Sequence, residues 1–346
     1  MMTPSPLFRS RPDKGPLTGL SAVVTGGSRG LGLLLAEQLL RRGCAVTVAA
    51  RDEEELDRAR EFLLRQRPGG RVRTAVCDVT DRAAVAALMG GAADAFGGID
   101  VVVANAGVIQ VAPVESVGSD EFRSAMDTIY LGAVHAALEA LPWLRRSRPG
   151  GRLALIGSVG GLLAVPHLLP YSAAKSAVAA LAEGLHAELR GDRVSVTAVH
   201  PGLMRTGSHL AAEFGGDQAA EFAWFSALAG APLVSMDARR AADRIVTAVE
   251  RRRPRIVLTP LAKAAGLTHG IAPALTTRLS ALAVKVLPAP PGSGNVVALH
   301  KGHAVEGTAE RELHPVLRRL RGWGSTLNDR AARRLNQRTR PAAGGH

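Results

Sequence analysis

The sequence is poor in cysteine and in aromatic residues, and these shortages exclude several kinds of protein. Two cysteines, Cys44 and Cys77, occur in 346 residues, too few for a disulfide framework, and no Cys/His cluster has the spacing of a zinc site. Phe, Trp and Tyr make up 3% of the chain, too few to form stacking platforms for nucleic-acid bases. We therefore expect a protein without a bound metal in a reducing compartment, the cytoplasm.

Long hydrophobic runs are also missing. The first residues lack the apolar stretch of a signal peptide, and no run of about 18 apolar residues that could span a membrane occurs. Apolar residues nevertheless make up 47% of the chain, which is enough for a sizeable core. The length suits one large domain or two ordinary ones.

Positive charge is in excess, and it is unevenly distributed. The net charge is +13, and residues 297–346 contain ten Lys/Arg against four Asp/Glu. Such a balance suits an anionic partner, which could be nucleic acid, a membrane surface or a phosphorylated cofactor. A solvated basic tail explains better why Lys and Arg are concentrated in residues 297–346. We therefore expect no nucleic-acid partner.

From Leu20 onward, short apolar runs alternate with longer amphipathic ones. This alternation predicts an α/β fold: a Rossmann-like, doubly wound parallel sheet of about seven strands with helices on both faces. One predicted helix covers 119–141 and stops before Pro142, and another begins at Asp52, with Glu55 completing a capping box. The predicted organisation is a leader (1–18), a nucleotide-binding domain (19–260), an apolar C-terminal extension (261–291) and the basic tail (292–346).

A glycine-rich loop follows the first predicted strand and opens a helix at once. It reads Thr25-Gly26-Gly27-Ser28-Arg29-Gly30-Leu31-Gly32. Glycines allow the sharp turn and bring backbone N–H groups and the helix N-terminus against a pyrophosphate. The strand–loop–helix context favours a dinucleotide site over a plain glycine-rich turn.

The spacing of this loop resembles the short-chain dehydrogenase/reductase family, and further motifs along 18–260 are similar to that family in order and position. They are Asp78 after the third strand, Asn105-Ala106-Gly107 after the fourth, Ser158 after the fifth, Tyr171 and Lys175 on the next helix, and Pro201-Gly202 and Thr206 after the sixth. The resemblance implies catalysis by Ser158, Tyr171 and Lys175. It implies cofactor binding by Thr25, Gly26, Ser28, Arg29, Gly30, Leu31, Gly32, Arg51, Asp78, Val79, Asn105, Ala106, Gly107, Tyr171, Lys175, Pro201, Gly202 and Thr206.

The Tyr-x-x-x-Lys spacing has a chemical rationale of its own. It places Tyr171 and Lys175 on one face of a helix. A nearby ammonium, or a positive nicotinamide ring, favours the phenolate and lowers the tyrosine pKa from about 10. Tyr171 is then expected to act as acid/base near neutral pH, while Ser158 orients the substrate oxygen. The alternative is a core tyrosine beside a lysine that extends to solvent.

One residue departs from the family pattern. The family usually has an asparagine three residues before a glycine in the helix that precedes the fifth strand, and here Ile129 stands three before Gly132. The resemblance implies that this asparagine binds a water linking the lysine to solvent. A one-residue misalignment, a substitute such as Thr128, and a weakened or inactive enzyme all remain open.

The end of the second strand predicts the choice of cofactor. An acid there would bind the 2′-hydroxyl of NAD, and a basic residue would accept the 2′-phosphate of NADP. The position of the acid holds Ala50, Arg51 follows, and Arg29 offers a second guanidinium. We therefore expect NADP(H) to be preferred over NAD(H), although two ordinary surface arginines would look the same.

The segments after the fifth and sixth strands predict an apolar substrate pocket. They contain Leu162, Leu163, Val165, Phe222, Trp224 and Phe225, with His167 and His209 expected at the rim. The predicted function is NADP-dependent hydride transfer with a hydrophobic carbonyl/alcohol substrate, although these apolar residues could simply pack a lid. The alternative is a non-catalytic NADP(H)-binding sensor or scaffold. We expect a homodimer or homotetramer, with the segment after Pro260 packed on the substrate pocket or a neighbouring subunit rather than on a membrane.

Overall fold

The computed structural model describes residues 15–231, 234–290, 298–312 and 327–337. Most of the predicted leader (1–14) and parts of the predicted extension and tail (291–297, 313–326 and 338–346) lie outside the described residues. No helix in the described ranges is long and apolar enough to cross a membrane.

Seven parallel strands form the central sheet, which confirms the predicted fold class. They are β1 (Ser21–Thr25), β2 (Ala45–Ala50), β3 (Val72–Val76), β4 (Val101–Ala104), β5 (Arg152–Ile156), β6 (Ser195–His200) and β7 (Arg255–Val257). Their order in the sheet is β7-β6-β5-β4-β1-β2-β3. The direction in which successive strands are added to the sheet reverses between β1 and β4, which pair in parallel. A binding crevice forms at such a switch point.

Eleven α-helices have defined bounds in the described residues. They are α1 (Gly30–Arg41), α2 (Glu53–Gln66), α3 (Arg82–Phe96), α4 (Ser119–Ala125), α5 (Gly132–Arg146), α6 (Leu169–Glu188), α7 (Gln218–Gly230), α8 (Ala238–Glu250), α9 (Pro260–Ile271), α10 (Pro273–Val284) and α11 (Gly302–Glu312). A further helical segment covers 327–334.

The core lies in two layers because both faces of the sheet are covered. On one face, α1, α2 and α8 pack apolar residues such as Leu33, Leu56 and Ile245 against the sheet. On the other face, α3, α5 and α6 bury Met89, Ala136 and other apolar residues. The inner strands β1, β4 and β5 are fully buried, as parallel strands covered on both faces should be, whereas the edge strands β3 and β7 are partly exposed.

The predicted helix 119–141 proved wrong in two details. A π-helical turn, Met126–Leu131, separates α4 from α5, and α5 runs through Pro142 to Arg146. The proline removes the hydrogen bond to the carbonyl of Leu138. Leu138 is exposed, so water can satisfy that carbonyl and the helix continues.

The predicted cap of α2 is half correct. Asp52 Oδ1 accepts a hydrogen bond from Glu55 N at 2.8 Å. The Glu55 side chain does not return to the cap, because it accepts hydrogen bonds from the glycine loop instead.

Three short strands form a second, small sheet beside the carboxyl edge of the main one. Glu213–Phe214 pairs in parallel with Gln110–Val111 and antiparallel with His300–Lys301. This small sheet joins a segment of the chain near its end to the loops that follow β4 and β6.

Candidate active site

A cleft of about 600 Å³ opens at the carboxyl ends of β1, β2, β4, β5 and β6. All but one of the residues predicted to bind cofactor or act in catalysis line it: Gly26, Ser28, Arg29, Gly30, Leu31, Gly32, Arg51, Asp78, Val79, Asn105, Ala106, Gly107, Ser158, Tyr171, Lys175, Pro201, Gly202 and Thr206. Thr25 is the one predicted residue that does not.

Thr25 instead joins the ends of two strands behind the cleft. Its Oγ1 accepts hydrogen bonds from the backbone N–H groups of Asn105 and Ala106, at 3.1 and 3.3 Å. The Asn105 side-chain amide donates in return to the carbonyls of Thr25 and Gly26. This pair of residues therefore fixes the glycine loop to the end of β4.

The glycine loop has the tight backbone that a dinucleotide requires. Gly26 adopts φ +60°, and a Cβ there would lie 2.7 Å from the Ala106 Cα. A Cβ on Gly32 would collide with the carbonyl oxygen of Gly26. Only glycine fits at these two positions, and the loop leads straight into the N-terminus of α1, so the residues present fit a pyrophosphate.

Five charged residues line the end of the cleft beside β2 and β3: Arg29, Arg51, Asp52, Glu55 and Asp78. Arg51 is 65% exposed and lies 4.0 Å from Asp78. Arg29 is bound to Glu55 at 2.6 Å, and Ser28 Oγ donates to the same carboxylate at 2.8 Å. The carboxylate of Glu55 neutralises Arg29, so of the two predicted guanidiniums Arg51 is the freer one.

Asp78 keeps its negative charge in this setting. Burial raises its pKa, but hydrogen bonds from the backbone N–H and hydroxyl of Thr80 and the charge of Arg51 outweigh this, and the pKa is lowered overall. An ionised carboxylate accepts hydrogen bonds only, so Asp78 suits the amino or hydroxyl groups of a nucleoside.

Ser158, Tyr171 and Lys175 meet at the inner end of the cleft. Ser158 is buried at the start of the loop after β5, and its Oγ accepts a hydrogen bond from Gly160 N at 3.0 Å. Its side chain also hydrogen-bonds Tyr171. Lys175 is buried, with Nζ 5.7 Å from the centre of the Tyr171 ring and 2.7 Å from the Ile156 carbonyl, to which it donates.

Burial, not the lysine charge, dominates the acid–base properties of this group. It raises the pKa of Tyr171, and the hydrogen bond with Ser158 opposes it only in part. Burial also lowers the pKa of Lys175 to about 8. The expectation that Lys175 lowers the tyrosine pKa is therefore not met in this structure, because burial of the phenol itself raises its pKa more than its neighbours lower it.

Ile129 lies in the π-helical turn beside this group and is buried among apolar residues. A Cβ on Gly107 would lie 3.6 Å from the Ile129 Cγ1 and 3.7 Å from the Lys175 Nζ. An apolar side chain thus stands next to the lysine. The neighbouring Thr128 lines the cleft.

None of the predicted substrate-side residues lines the cleft; the prediction named Leu162, Leu163, Val165, Phe222, Trp224 and Phe225. Phe222 and Phe225 are buried with Phe214 in an aromatic cluster and do not line the cleft. The apolar lining near Tyr171 comes instead from Val108, Ile109, Met204, Ala211 and Ala212, with Glu213 and Lys301 also on the wall.

His167 and His209 are not at the rim, contrary to the prediction. His167 is buried, and its Nδ1 lies 2.7 Å from Glu221. His209 is buried between Asn328 and Asp329. Both imidazoles satisfy buried polar groups, which explains their positions without a role in chemistry.

Besides the apolar lining, the sequence did not predict several polar residues on the cleft wall, among them Glu55, Glu213, Lys301 and Gln337. The spacing of Glu55, one helical turn beyond Arg51, places it beside the cofactor end of the cleft, but the capping-box pattern predicts a role in the helix cap instead. Lys301 and Gln337 come from beyond the nucleotide-binding pattern, and no motif marks them.

Comparisons with known proteins agree with this geometry. The family model described as short chain dehydrogenase matches residues 21–213. A dehydrogenase/reductase SDR family protein 7-like from Anopheles gambiae is 31% identical over 271 residues, covering 75% of this chain and 81% of that protein. A glycine betaine reductase from Emericella nidulans is 36% identical over 193 residues, covering 56% of this chain and only 15% of that protein. The crystal structure of a short-chain dehydrogenase from Streptomyces avermitilis matches with a TM-score of 0.64 at 29% identity, covering 77% of this chain and 97% of that one.

Proposed function

The chain belongs to the short-chain dehydrogenase/reductase family, and from this premise we propose that it is an NADP-dependent oxidoreductase acting on a carbonyl/alcohol pair. The observation that carries the proposal is the convergence of Ser158, Tyr171 and Lys175 at the inner end of the cleft that begins at the glycine loop. Nothing observed favours the alternative of a non-catalytic sensor or scaffold.

The glycine loop and the strand ends would hold the dinucleotide. The loop would bind its pyrophosphate, Asp78 its adenosine end, and Lys175 and Thr206 its nicotinamide end. When bound, the nicotinamide supplies or accepts the hydride. The chain's own residues supply the orientation and the proton.

In the reducing direction, Tyr171 would donate a proton to the substrate oxygen. Its raised pKa keeps the phenol protonated at neutral pH. Ser158, hydrogen-bonded to Tyr171, would hold the same oxygen. Lys175, still largely charged below a pKa of about 8, would stabilise the phenolate that remains after proton transfer.

The preference for NADP(H) rests on Arg51. Ala50 at the end of β2 offers no carboxylate for a 2′-hydroxyl, and Arg51 is exposed on the cleft wall with one long ionic contact. Arg29 contributes less because Glu55 binds it.

The substrate is proposed to be a carbonyl compound with a largely apolar body. Val108, Ile109 and Met204 support this, while Glu213 and Lys301 on the wall allow a polar group near one end. We also propose a homodimer or homotetramer, as is typical of the family. A cytoplasmic location is consistent with Cys44 and Cys77, which are free and buried.

Arg51→Ala tests the cofactor assignment. We expect the variant to weaken NADPH binding about 10-fold or more, because one phosphate–guanidinium contact is lost, and to leave NADH binding nearly unchanged. Dissociation constants for both cofactors at fixed salt provide the measurement, together with NADPH oxidation on a panel of apolar aldehydes and ketones.

Arg82→Ala is the matched control, because Arg82 is 63% exposed and does not line the cleft. Equal affinities of the wild-type protein for NADPH and NADH would reject the preference. Binding without turnover of any carbonyl would favour the sensor.

A further inference from the structure

Residues 327–337, which lie beyond the family match, fold back onto the glycine loop. We call this segment the clasp. It consists of the helical stretch 327–334 followed by Leu335, Asn336 and Gln337. Leu335 is buried with α1 and α8 residues in the core on one side of the sheet, so the clasp packs on the domain as part of it.

The first half of the clasp is fixed to the loop after β6. The buried Asn328 accepts a hydrogen bond from Gly207 N at 2.8 Å and contacts His209 Nδ1 at 2.9 Å. Gly207 has φ +75°, and a Cβ there would collide with the Ala332 Cα. The two backbones therefore touch at a point where only glycine fits.

The second half of the clasp is fixed to the glycine loop. The Leu335 carbonyl accepts a hydrogen bond from Gly30 N at 3.0 Å. Asn336 Nδ2 donates to the carbonyls of Ser28 and Glu55, at 2.9 and 3.0 Å, and Asn336 Oδ1 accepts from Arg58 Nε at 3.0 Å. The Asn336 side chain thus links the glycine loop to α2 and lies beside the charged end of the cleft.

Gln337 reaches the cleft itself. It lines the wall, and a Cβ on Gly30 would lie 2.8 Å from its Nε2. Its Oε1 is buried and has no hydrogen-bond partner among the described residues. A buried amide oxygen without a hydrogen-bond partner lowers the stability of the fold unless a ligand supplies the hydrogen bond. A side-chain amide can donate to a phosphate or accept from a ribose hydroxyl.

We propose that the clasp is a component of the dinucleotide site, in which Gln337 binds the sugar–phosphate backbone of the cofactor and Asn336 holds the glycine loop in its binding shape. This inference rests on the proposed function. It assigns cofactor-binding residues to a segment far along the chain from the loop with which they act.

Two variants test the clasp in the full-length chain. Gln337→Ala should speed NADPH release about 3- to 10-fold, the loss expected for one hydrogen bond, without lowering the thermal stability of the free protein. Gln337→Glu should weaken binding more, because its charge would face the pyrophosphate. NADPH release is followed by stopped-flow fluorescence, and affinity by equilibrium titration.

Asn336→Gly provides an independent variant, because Asn336 has φ +59° and glycine accepts that conformation. It should also weaken NADPH binding about 10-fold, since the side-chain hydrogen bonds to the loop and to α2 are lost. Arg333→Ala, at an exposed position of the same helical stretch, is the control and should change nothing.

Two outcomes would overturn the clasp assignment. Release rates and affinities of both Gln337 variants and Asn336→Gly within two-fold of wild type would leave the clasp as structural packing. Tighter binding in the variants would show that the clasp competes with the cofactor. A wild-type protein that binds no dinucleotide would instead reject the proposed function, so the two failures are distinguishable.

Discussion

At the residue scale, burial sets the working range of Tyr171 and Lys175. A buried phenol with a raised pKa is protonated at neutral pH, so Tyr171 is present in the form that donates a proton and not in the form that accepts one. Lys175 carries its charge below a pKa of about 8. We therefore expect the site to work better as a reductase than as a dehydrogenase near neutrality.

The pH dependence of turnover tests this expectation. Reduction should be flat between about pH 6 and 7.5, where Tyr171 is protonated and Lys175 is charged, and should fall as the pH rises through about 8 and the ammonium is lost. Initial rates of NADPH oxidation at saturating cofactor, from about pH 5.5 to 10, give the profile. If the reduction rate already falls as the pH rises through values well below 8, a different group donates the proton.

At the element scale, the π-helical turn Met126–Leu131 controls what faces the lysine. It brings Ile129 into the apolar layer beside Gly107 and Lys175. Gly132 follows at once, and a Cβ there would lie 2.7 Å from Val79 Cγ2. The turn is therefore held tightly, and a polar residue in place of Ile129 would be buried with it.

Replacing Ile129 by Asn is expected to destabilise the protein by about 2–4 kcal/mol, since apolar burial is lost and an amide is desolvated. Ile129→Val, which keeps the apolar character, should cost about 0.5–1.5 kcal/mol. Urea unfolding of both variants provides the measurement. An Ile129→Asn variant as stable as wild type would mean that the introduced amide finds hydrogen-bond partners, for example through the lysine.

The elements show where prediction from sequence succeeds. The sheet was predictable because each strand is an apolar run bounded by turn residues, and the Tyr171–Lys175 pair because four residues make about one helical turn. The π-helical turn and the passage of α5 through Pro142 were not, since both depend on tertiary contacts and on the exposure of Leu138. The burial of His167 and His209 depends likewise on contacts with residues that are distant in sequence.

At the scale of the whole molecule, α9 and α10 present an apolar face among the described residues. Leu267 and Ile271 of α9 are 68% and 84% exposed, and Val286, two residues after the end of α10, is 85% exposed. Gly266 lies against Leu162 of the substrate-side loop, so one side of α9 packs near the site and the other does not. A face of this kind fits the expected contact with a neighbouring subunit.

The double variant Leu267→Ser, Ile271→Ser should lower the molecular mass in solution to that of a smaller assembly, because it removes apolar area from the subunit contact. Light scattering gives the mass, and Val114→Ser, at an exposed valine outside this face, is the control.

A monomeric wild-type protein that sediments with anionic vesicles would contradict the subunit contact. That result would assign the face to a membrane surface, since residues 251–305 contain no Asp or Glu.

The clasp joins two segments that are distant in sequence, and its contact with the glycine loop could not be predicted from the sequence. Asn336 contacts Ser28 and Glu55 across most of the chain. The sequence around it shows only a basic tail, because a contact between distant segments leaves no periodicity or spacing to read. Ser158, Tyr171 and Lys175 were found because each follows a strand or lies on a helix whose position was predictable.

If Tyr171 donates the proton in a carbonyl reduction, Tyr171→Phe removes the proton donor and keeps the aromatic ring. With Tyr130→Phe as the control at the chain's other tyrosine, NADPH affinity and NADPH oxidation on a reactive carbonyl are measured for both variants. We expect Tyr171→Phe to keep NADPH binding within a few-fold and to lose turnover by about 10²–10⁴, the contribution of a positioned acid, while Tyr130→Phe keeps both. Unchanged turnover of Tyr171→Phe would show that Tyr171 is not the proton donor.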